Sequence, residues 1–553
     1  MRVQPAFLNR LAIPPLLSLS LLSGTALAVS TLLGSQAKAT QASNPQNPEL
    51  YVGIVQRFGS KPTDSLTLQA RSGDRLTVRF KTNGQEQAVT GTTAKLEIVT
   101  QALPEPKLEE RVVLSTHRSF ESAEADANRW RSQGIEVEVA QPERWQVWAK
   151  RDVYSNPVVR RLLLQNLQSK GIQTAYLDSR VVQKQPKSSL VLNGYRYNRD
   201  YVDISSTQGV IQVSPIGDER SRNLYAGSLR LQPNTYGNYT LVNRVPVETY
   251  LRGVVPHEIG TWAAPSVLQT QAILARTYAL RNLRRFAIDG YQLCADTQCQ
   301  VYNGLSGTAS ATDRAIAATK GLVLTYQNEL VDAVYSSTTG GVTAAFHDIW
   351  QGSERPYLKG VLDSVGSPWD LARYPLTEEQ NLRRFISQKN GFNEEGTRWF
   401  RWRAESRLAE LTKELKTYLA SQNSPLARFK AIQQLQVLQR SPSGRVLKLA
   451  VITDLGTVEL EKDNILKVFY APNSTLFYLE PLYGANKSLQ GYAFVGGGLG
   501  HGVGLSQTGS YRLGDLGWSS DRILSFYYPG TQLQPLNAAI VFWREPATEQ
   551  VSR

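Results

Sequence analysis

The sequence predicts an α+β protein built from more than one module, and three observations carry that prediction. Short runs with period-two alternation, such as Tyr51 to Val55 and Arg75 to Phe80, have the pattern of half-buried strands. Runs at helical spacing interrupt them, including Ala123, Ala127 and Trp130 within Ser119 to Gln133, where Gly134 is the expected stop. The chain is 553 residues long, enough for roughly two to four ordinary domains.

The composition, 41% hydrophobic and 20% charged, is that of a globular protein able to bury sizeable cores without metal or disulfide staples. Its 61 Lys and Arg against 47 Asp and Glu leave a net charge of +14, which suits polyanionic surroundings. Nucleic acid is not the expected partner, because no recognition motif is present and the charge is spread along the chain. At the N-terminus, Arg2 and Arg10 precede an apolar run from Leu11 to about Leu33, and small-residue sites follow at Ala26-Leu27-Ala28 and Ala37-Lys38-Ala39. That order describes a secretory signal over residues 1–39, with an uncleaved anchor as the alternative. Either way the expected location is outside the cytoplasm, periplasm or cell wall, with peripheral or N-terminal membrane association as an option. Residues 40–48 form a linker.

Residues 49–185 are expected to form a smaller α+β module. Within it, Ser119 to Ala140 and Trp145 to Leu177 each combine a helix, a glycine and a strand. This pattern resembles a SPOR-like repeat, and such a resemblance implies binding to glycan strands stripped of peptide. A generic spacer is the alternative. From Ser188 to Asn243, turns such as Asn193-Gly194 separate short strands in the manner of hairpins. The segment of about 375–426 is expected to be a helical insertion, with Leu408, Leu411, Leu415 and Leu419 forming a packing face.

Four stretches stand out as chemistry. In Val254-Val-Pro-His-Glu258-Ile259, a carboxyl sits among apolar residues just before a helix that Pro265 starts and that runs to about Phe286. Burial in such company raises a carboxyl pKa and keeps a proton available, as a general acid requires. A charge complementing the helix dipole is the structural alternative. Gln271, on the long helix, is expected to be exposed or internally bonded. Cys294 and Cys299 are spaced for a local disulfide, free thiols, or half of a zinc site without an obvious third ligand. Tyr335-Ser-Ser-Thr-Thr-Gly-Gly341 is a hydroxyl-rich loop suited to sugar hydroxyls. The run Gly496 to Gly509 is glycine-rich but lacks the Gly-Lys-Ser/Thr ending of a phosphate loop.

Taken in order, Tyr250-Leu-Arg-Gly-Val-Val-Pro-His-Glu258, Gln271-Ala-Ile-Leu-Ala-Arg-Thr-Tyr-Ala279, Asp296-Thr-Gln-Cys-Gln-Val-Tyr302, Tyr335 to Gly341, Pro356-Tyr-Leu358, Gly500-His-Gly-Val-Gly-Leu-Ser-Gln507 and Phe526-Tyr-Tyr-Pro-Gly-Thr531 resemble the stage II sporulation protein D family (SpoIID/LytB). The resemblance covers about Val245 to Leu533. It implies an α+β catalytic domain, placed at 186–535 with a C-terminal tail at 536–553, and a groove for a glycan chain. It implies lytic transglycosylase activity on peptide-free peptidoglycan strands, giving 1,6-anhydro products, with Glu258 as the catalytic acid. It places Arg276, Tyr335, Ser336, Thr338, His501 and Gln507 near substrate. The alternative it leaves open is a non-catalytic glycan-binding protein that recruits or activates a cell-wall amidase. No cofactor is expected. Family members that bind zinc carry a His beside the second cysteine, where this chain has Gln298, so a disulfide is favoured over a metal.

Overall fold

Side-chain alternation builds two large sheets. Leu66, Leu68 and Ala70 of Ser65–Ala70 and Leu76, Val78 and Phe80 of Leu76–Thr82 point into one apolar core, while their neighbours face outward. The computed structural model describes residues 47–215, 222–422 and 424–545; the expected signal segment lies outside them. One sheet has seven strands and the other eight, and each mixes residues from both sides of position 185. Glu49–Phe58 pairs antiparallel with Tyr239–Pro246, Ser65–Ala70 with Val210–Pro215, and Leu76–Thr82 with Val202–Ser206. The expected module boundary at 185 falls inside the strand Tyr176–Leu192. Period-two patterning identifies a strand but says nothing about which distant strand it joins, so this interleaving was invisible in the sequence.

Tyr176–Leu192 pairs along most of its length with the 25-residue strand Thr93–His117. The register slips between Ala102 and Lys107, where Pro104 and Pro106 lack an N–H for the ladder. The two long strands carry between them the predicted helix–strand units. Their sheet runs Tyr176–Leu192, Thr93–His117, Trp145–Ala149, Val137–Ala140, all antiparallel, with helices Phe120–Ser132 and Pro157–Ser169. This is a β-α-β-β-α-β unit inserted between two halves of a β structure. Ser119 caps its first helix, which buries Phe120, Ala123, Ala127 and Trp130.

The strand Tyr239–Pro246 leads directly into the helix Val247–Ile259. Pro265 then opens the helix Pro265–Arg281, whose residues from Thr270 to Arg281 are all buried. A helix buried all round shows no amphipathic stripe. Gln271 is fully buried, and its side chain has no hydrogen-bond partner among the described residues, contrary to expectation.

The segment expected to be helical holds two helices, Glu379–Ser387 and Leu408–Ser421, with the strand Trp402–Arg407 between them. Leu411, Leu415 and Leu419 are buried and Leu408 packs at the edge, so the apolar stripe is a packing face as read. This helix packs beside two three-stranded sheets, Trp402–Arg407 with Leu489–Gly496 and Phe477–Tyr483, and Ile432–Arg440 with Val446–Thr453 and Gly456–Glu461. Among the described residues, no helix is long and apolar enough to cross a membrane.

Candidate functional site

Glu258 occupies the last turn of its own helix, Val247–Ile259, rather than the approach to the next one. A carboxylate there faces the negative end of the helix dipole, which disfavours its charge. Its Oε1 accepts the Val301 N–H at 2.8 Å. Burial raises the Glu258 pKa above the ordinary carboxyl value, against the opposing pull of the Val301 amide and the Tyr335 and Gln507 side chains. The Gln507 Nε2 also donates to the Glu258 carbonyl at 2.9 Å, fixing the end of the helix. Behind the carboxyl, the Tyr250 hydroxyl donates to Gln300 Oε1 (3.1 Å) and Gln300 Nε2 donates to the Tyr335 hydroxyl (3.0 Å).

The hydroxyl loop and the glycine-rich run meet beside Glu258. Tyr335–Ser336 pairs in parallel with Leu505–Ser506, and Thr338 bridges Leu499. Two glycines make that approach possible. A Cβ at Gly504 would stand 2.1 Å from the Val334 carbonyl oxygen, and one at Gly340 would stand 2.6 Å from the Gly497 carbonyl carbon, both at positive φ.

Glu258, Tyr335, Ser336, His501 and Gln507 line a single cavity of about 680 Å³. Ser336 is 7% exposed, and its buried hydroxyl has no partner among the described residues, leaving an unsatisfied hydrogen-bonding group in the cavity wall. His501 Nδ1 accepts the Val503 N–H at 3.0 Å, which assigns its proton to Nε2. Burial pushes its pKa down to about 4, so the ring is neutral near pH 7. It lies against Trp350, with ring centroids 4.9 Å apart.

Two expected substrate contacts stand elsewhere. Arg276 is fully buried and does not line the cavity; its Nε and Nη2 donate to Glu248 at 2.8 and 2.7 Å, and Nη1 donates to the Leu322 carbonyl. Thr338 is 1% exposed and also lies off the cavity. An Arg amid apolar helix residues has the same local pattern whether it meets ligand or an internal carboxylate, and only the fold distinguishes them. Cys294 and Cys299 form a disulfide. Gln298, between them, accepts from Trp145 Nε1 (3.3 Å) and from Arg285 through its carbonyl (3.1 Å), docking this loop on the β-α-β-β-α-β unit. Among the described residues, no three His, Cys, Asp or Glu side chains gather as a metal site.

Sequence reasoning missed the support of the loop. Glu394 accepts the N–H groups of Thr339, Gly340 and Gly341 and the hydroxyls of Thr339 and Ser506. Asp363 lies beside it, accepting from Asn393 and Tyr527, each at 2.8 Å. Arg445, fully buried, donates to the Thr339 and Val342 carbonyls. The available signal was a set of charged residues among apolar ones in the segment 363–445, with no motif to join them.

Comparison with known families matches these blocks. The stage II sporulation protein (SpoIID) family model covers residues 235–326, from the strand before Glu258 to beyond the disulfide. The chain carries a SpoIID domain. A domain of unknown function (DUF8618) matches residues 344–504, which lie in the chain between the paired strands Tyr335–Ser336 and Leu505–Ser506. The chain is 28% identical to the "Amidase enhancer" of Bacillus subtilis (strain 168) over 56% of this chain and 47% of that protein, so it spans about half of that relative's length. It is 27% identical to the "Stage II sporulation protein D" of the same organism, over 63% of this chain and 92% of that protein. A Bacillus amyloliquefaciens protein of the same name is 35% identical over 23% of this chain and 40% of its own length. No match supports the SPOR-like resemblance of the first module. The cavity thus draws on three stretches of the chain: Glu258 lies in the SpoIID-matched residues, the β-α-β-β-α-β unit supplies Arg118 to Glu121, and the 344–504 segment supplies Trp350, Asp463 and Tyr470.

Proposed function

We propose that the protein is a lytic transglycosylase that cleaves the bond between N-acetylmuramic acid and N-acetylglucosamine in peptide-free peptidoglycan strands outside the cytoplasm. The observation that carries this is the Glu258 carboxyl, raised in pKa by burial and facing a cavity beside an unpartnered serine hydroxyl. Protonated Glu258 delivers its proton to the glycosidic oxygen as the bond to the muramic C1 breaks. The resulting carboxylate takes the proton of the same sugar's C6 hydroxyl, whose oxygen closes on C1 as a 1,6-anhydro ring. One carboxyl serves both steps because the nucleophile belongs to the substrate, unlike the paired carboxyls of ordinary glycosidases. The other carboxyls lining the cavity are Glu121, held by Arg285, and Asp463, on the wall supplied by the 344–504 segment. Asp296 accepts the Gln298 N–H at 2.8 Å and does not line the cavity.

The test is mass spectrometry of peptide-free strands incubated with purified protein. Anhydro-muramyl ends that Glu258→Gln abolishes support the proposal, and reducing ends indicate a hydrolase. A second reading, a glycan-binding activator of a cell-wall amidase, draws on the printed name of one relative. It predicts saturable strand binding without products, and faster peptide release when an amidase is added.

A further inference from the structure

Arg118 closes the strand Thr93–His117, one residue before the helix cap Ser119. Its side chain is exposed and lines the same cavity as Glu258. The guanidinium donates to the Asp463 carbonyl oxygen at 3.4 Å and, among the described residues, forms no ion pair. The other arginines packed around the catalytic helices are all committed: Arg276 to Glu248, Arg281 to Asp332 and Arg285 to Glu121. Around Arg118 the wall carries further charges: Asp463 lies near Arg118, Lys462 and Lys467, Arg144 acts on Arg118 and Lys467, and the carboxyls Glu121 and Asp348 stand beside Asp463 and Lys462. Burial pushes the Asp463 pKa up to about 6, and the Ser119 hydroxyl hydrogen-bonds it. On the same cavity, Tyr470 is 77% exposed and offers a ring face to a sugar.

We propose that Arg118 and Tyr470 form a subsite for a carboxylate-bearing sugar, Tyr470 stacking on the pyranose and Arg118 taking the carboxylate through its planar fork. Arginine suits this role because two parallel N–H groups match a carboxylate's two oxygens. The identity of the sugar rests on the glycan-cleaving proposal. Removing the stem peptide from muramic acid exposes a lactyl carboxylate, whereas a peptide-bearing strand presents a neutral, bulkier amide at that position. The subsite thus discriminates stripped from unstripped strands by charge.

The experiment is equilibrium binding of the full chain to peptide-free strands and to the same strands with their lactyl carboxyls converted to carboxamides. The unmodified protein is expected to bind the carboxylate form about tenfold or more tightly, as for a hydrogen bond to a charged group. Arg118→Gln should bind both forms equally, Arg118→Lys should keep part of the preference, and Tyr470→Ala should weaken both forms alike. Equal binding of the two forms by the unmodified protein, or a preference that survives Arg118→Gln, overturns the proposal. The same comparison is made with Glu258→Gln protein, which leaves the strands uncut, so absence of anhydro products from the unmodified protein with the preference intact would sink the transglycosylase alone.

Discussion

The Glu394 carboxylate accepts the backbone N–H of Gly340 at 2.8 Å, and with Gly341 at 3.0 Å and Thr339 it wraps the end of the hydroxyl loop around one buried charge. The loop that places Tyr335 and Ser336 beside Glu258 is thus held from behind by a residue of the 344–504 segment.

Replacing Glu394 by Gln turns an amide NH₂ toward these buried donors. Leaving such groups unsatisfied costs about 1–3 kcal/mol each, so Glu394→Gln should lose ~3 kcal/mol or more in urea unfolding. Strand cleavage should fall with it, because the loop is no longer fixed. Native stability in this variant would show that the contacts are not needed.

Asp363 behaves oppositely. Burial and the neighbouring Glu394 charge hold its pKa well above the carboxyl range. A raised folded pKa means stability is fully present below the unfolded pKa and is lost as pH rises through the folded one. Asp363→Asn should therefore melt within a few degrees of the native protein near about pH 5 and above it near about pH 9. Parallel melting curves across that range would contradict this.

Arg276 is assigned to structure rather than substrate. Arg276→Met leaves Glu248 without its buried partner and should cost ~3 kcal/mol or more. Strand affinity per folded molecule should be unchanged; a selective loss of affinity at full stability would return Arg276 to the binding site.

Glu258 should give the alkaline limb of the rate profile. The acid must be protonated to act, so turnover should fall as pH rises through its raised pKa. The same shift costs stability above the unfolded carboxyl pKa, so Glu258→Gln should remove most turnover, typically about 10²-fold or more, and raise the melting temperature at alkaline but not acidic pH. Thermal melts and initial rates over one pH series check both.

Local pattern made several elements legible. Pro265 at a helix start, the Gly134 stop and the leucine stripe of Leu408–Ser421 are short-range signals, and each corresponds to an observed element. The residues around Glu258 were legible because their blocks keep a fixed order along the chain. Arg118, Asp363, Glu394 and Arg445 were not, since an isolated charge has no periodicity and its role depends on what lies across the fold.

The sequence by itself determined many of the strand and helix types and singled out Glu258 with the loop and glycine blocks that the fold brings beside it, because propensity, turn chemistry and motif order act over a few residues. Only the tertiary structure decided that the first module interleaves with the β structure after residue 185, that Arg276 pairs with Glu248, and that the 344–504 segment walls the cavity. Those outcomes depend on pairings between residues tens to hundreds of positions apart, where burial and charge compensation select the partner and no local pattern names it.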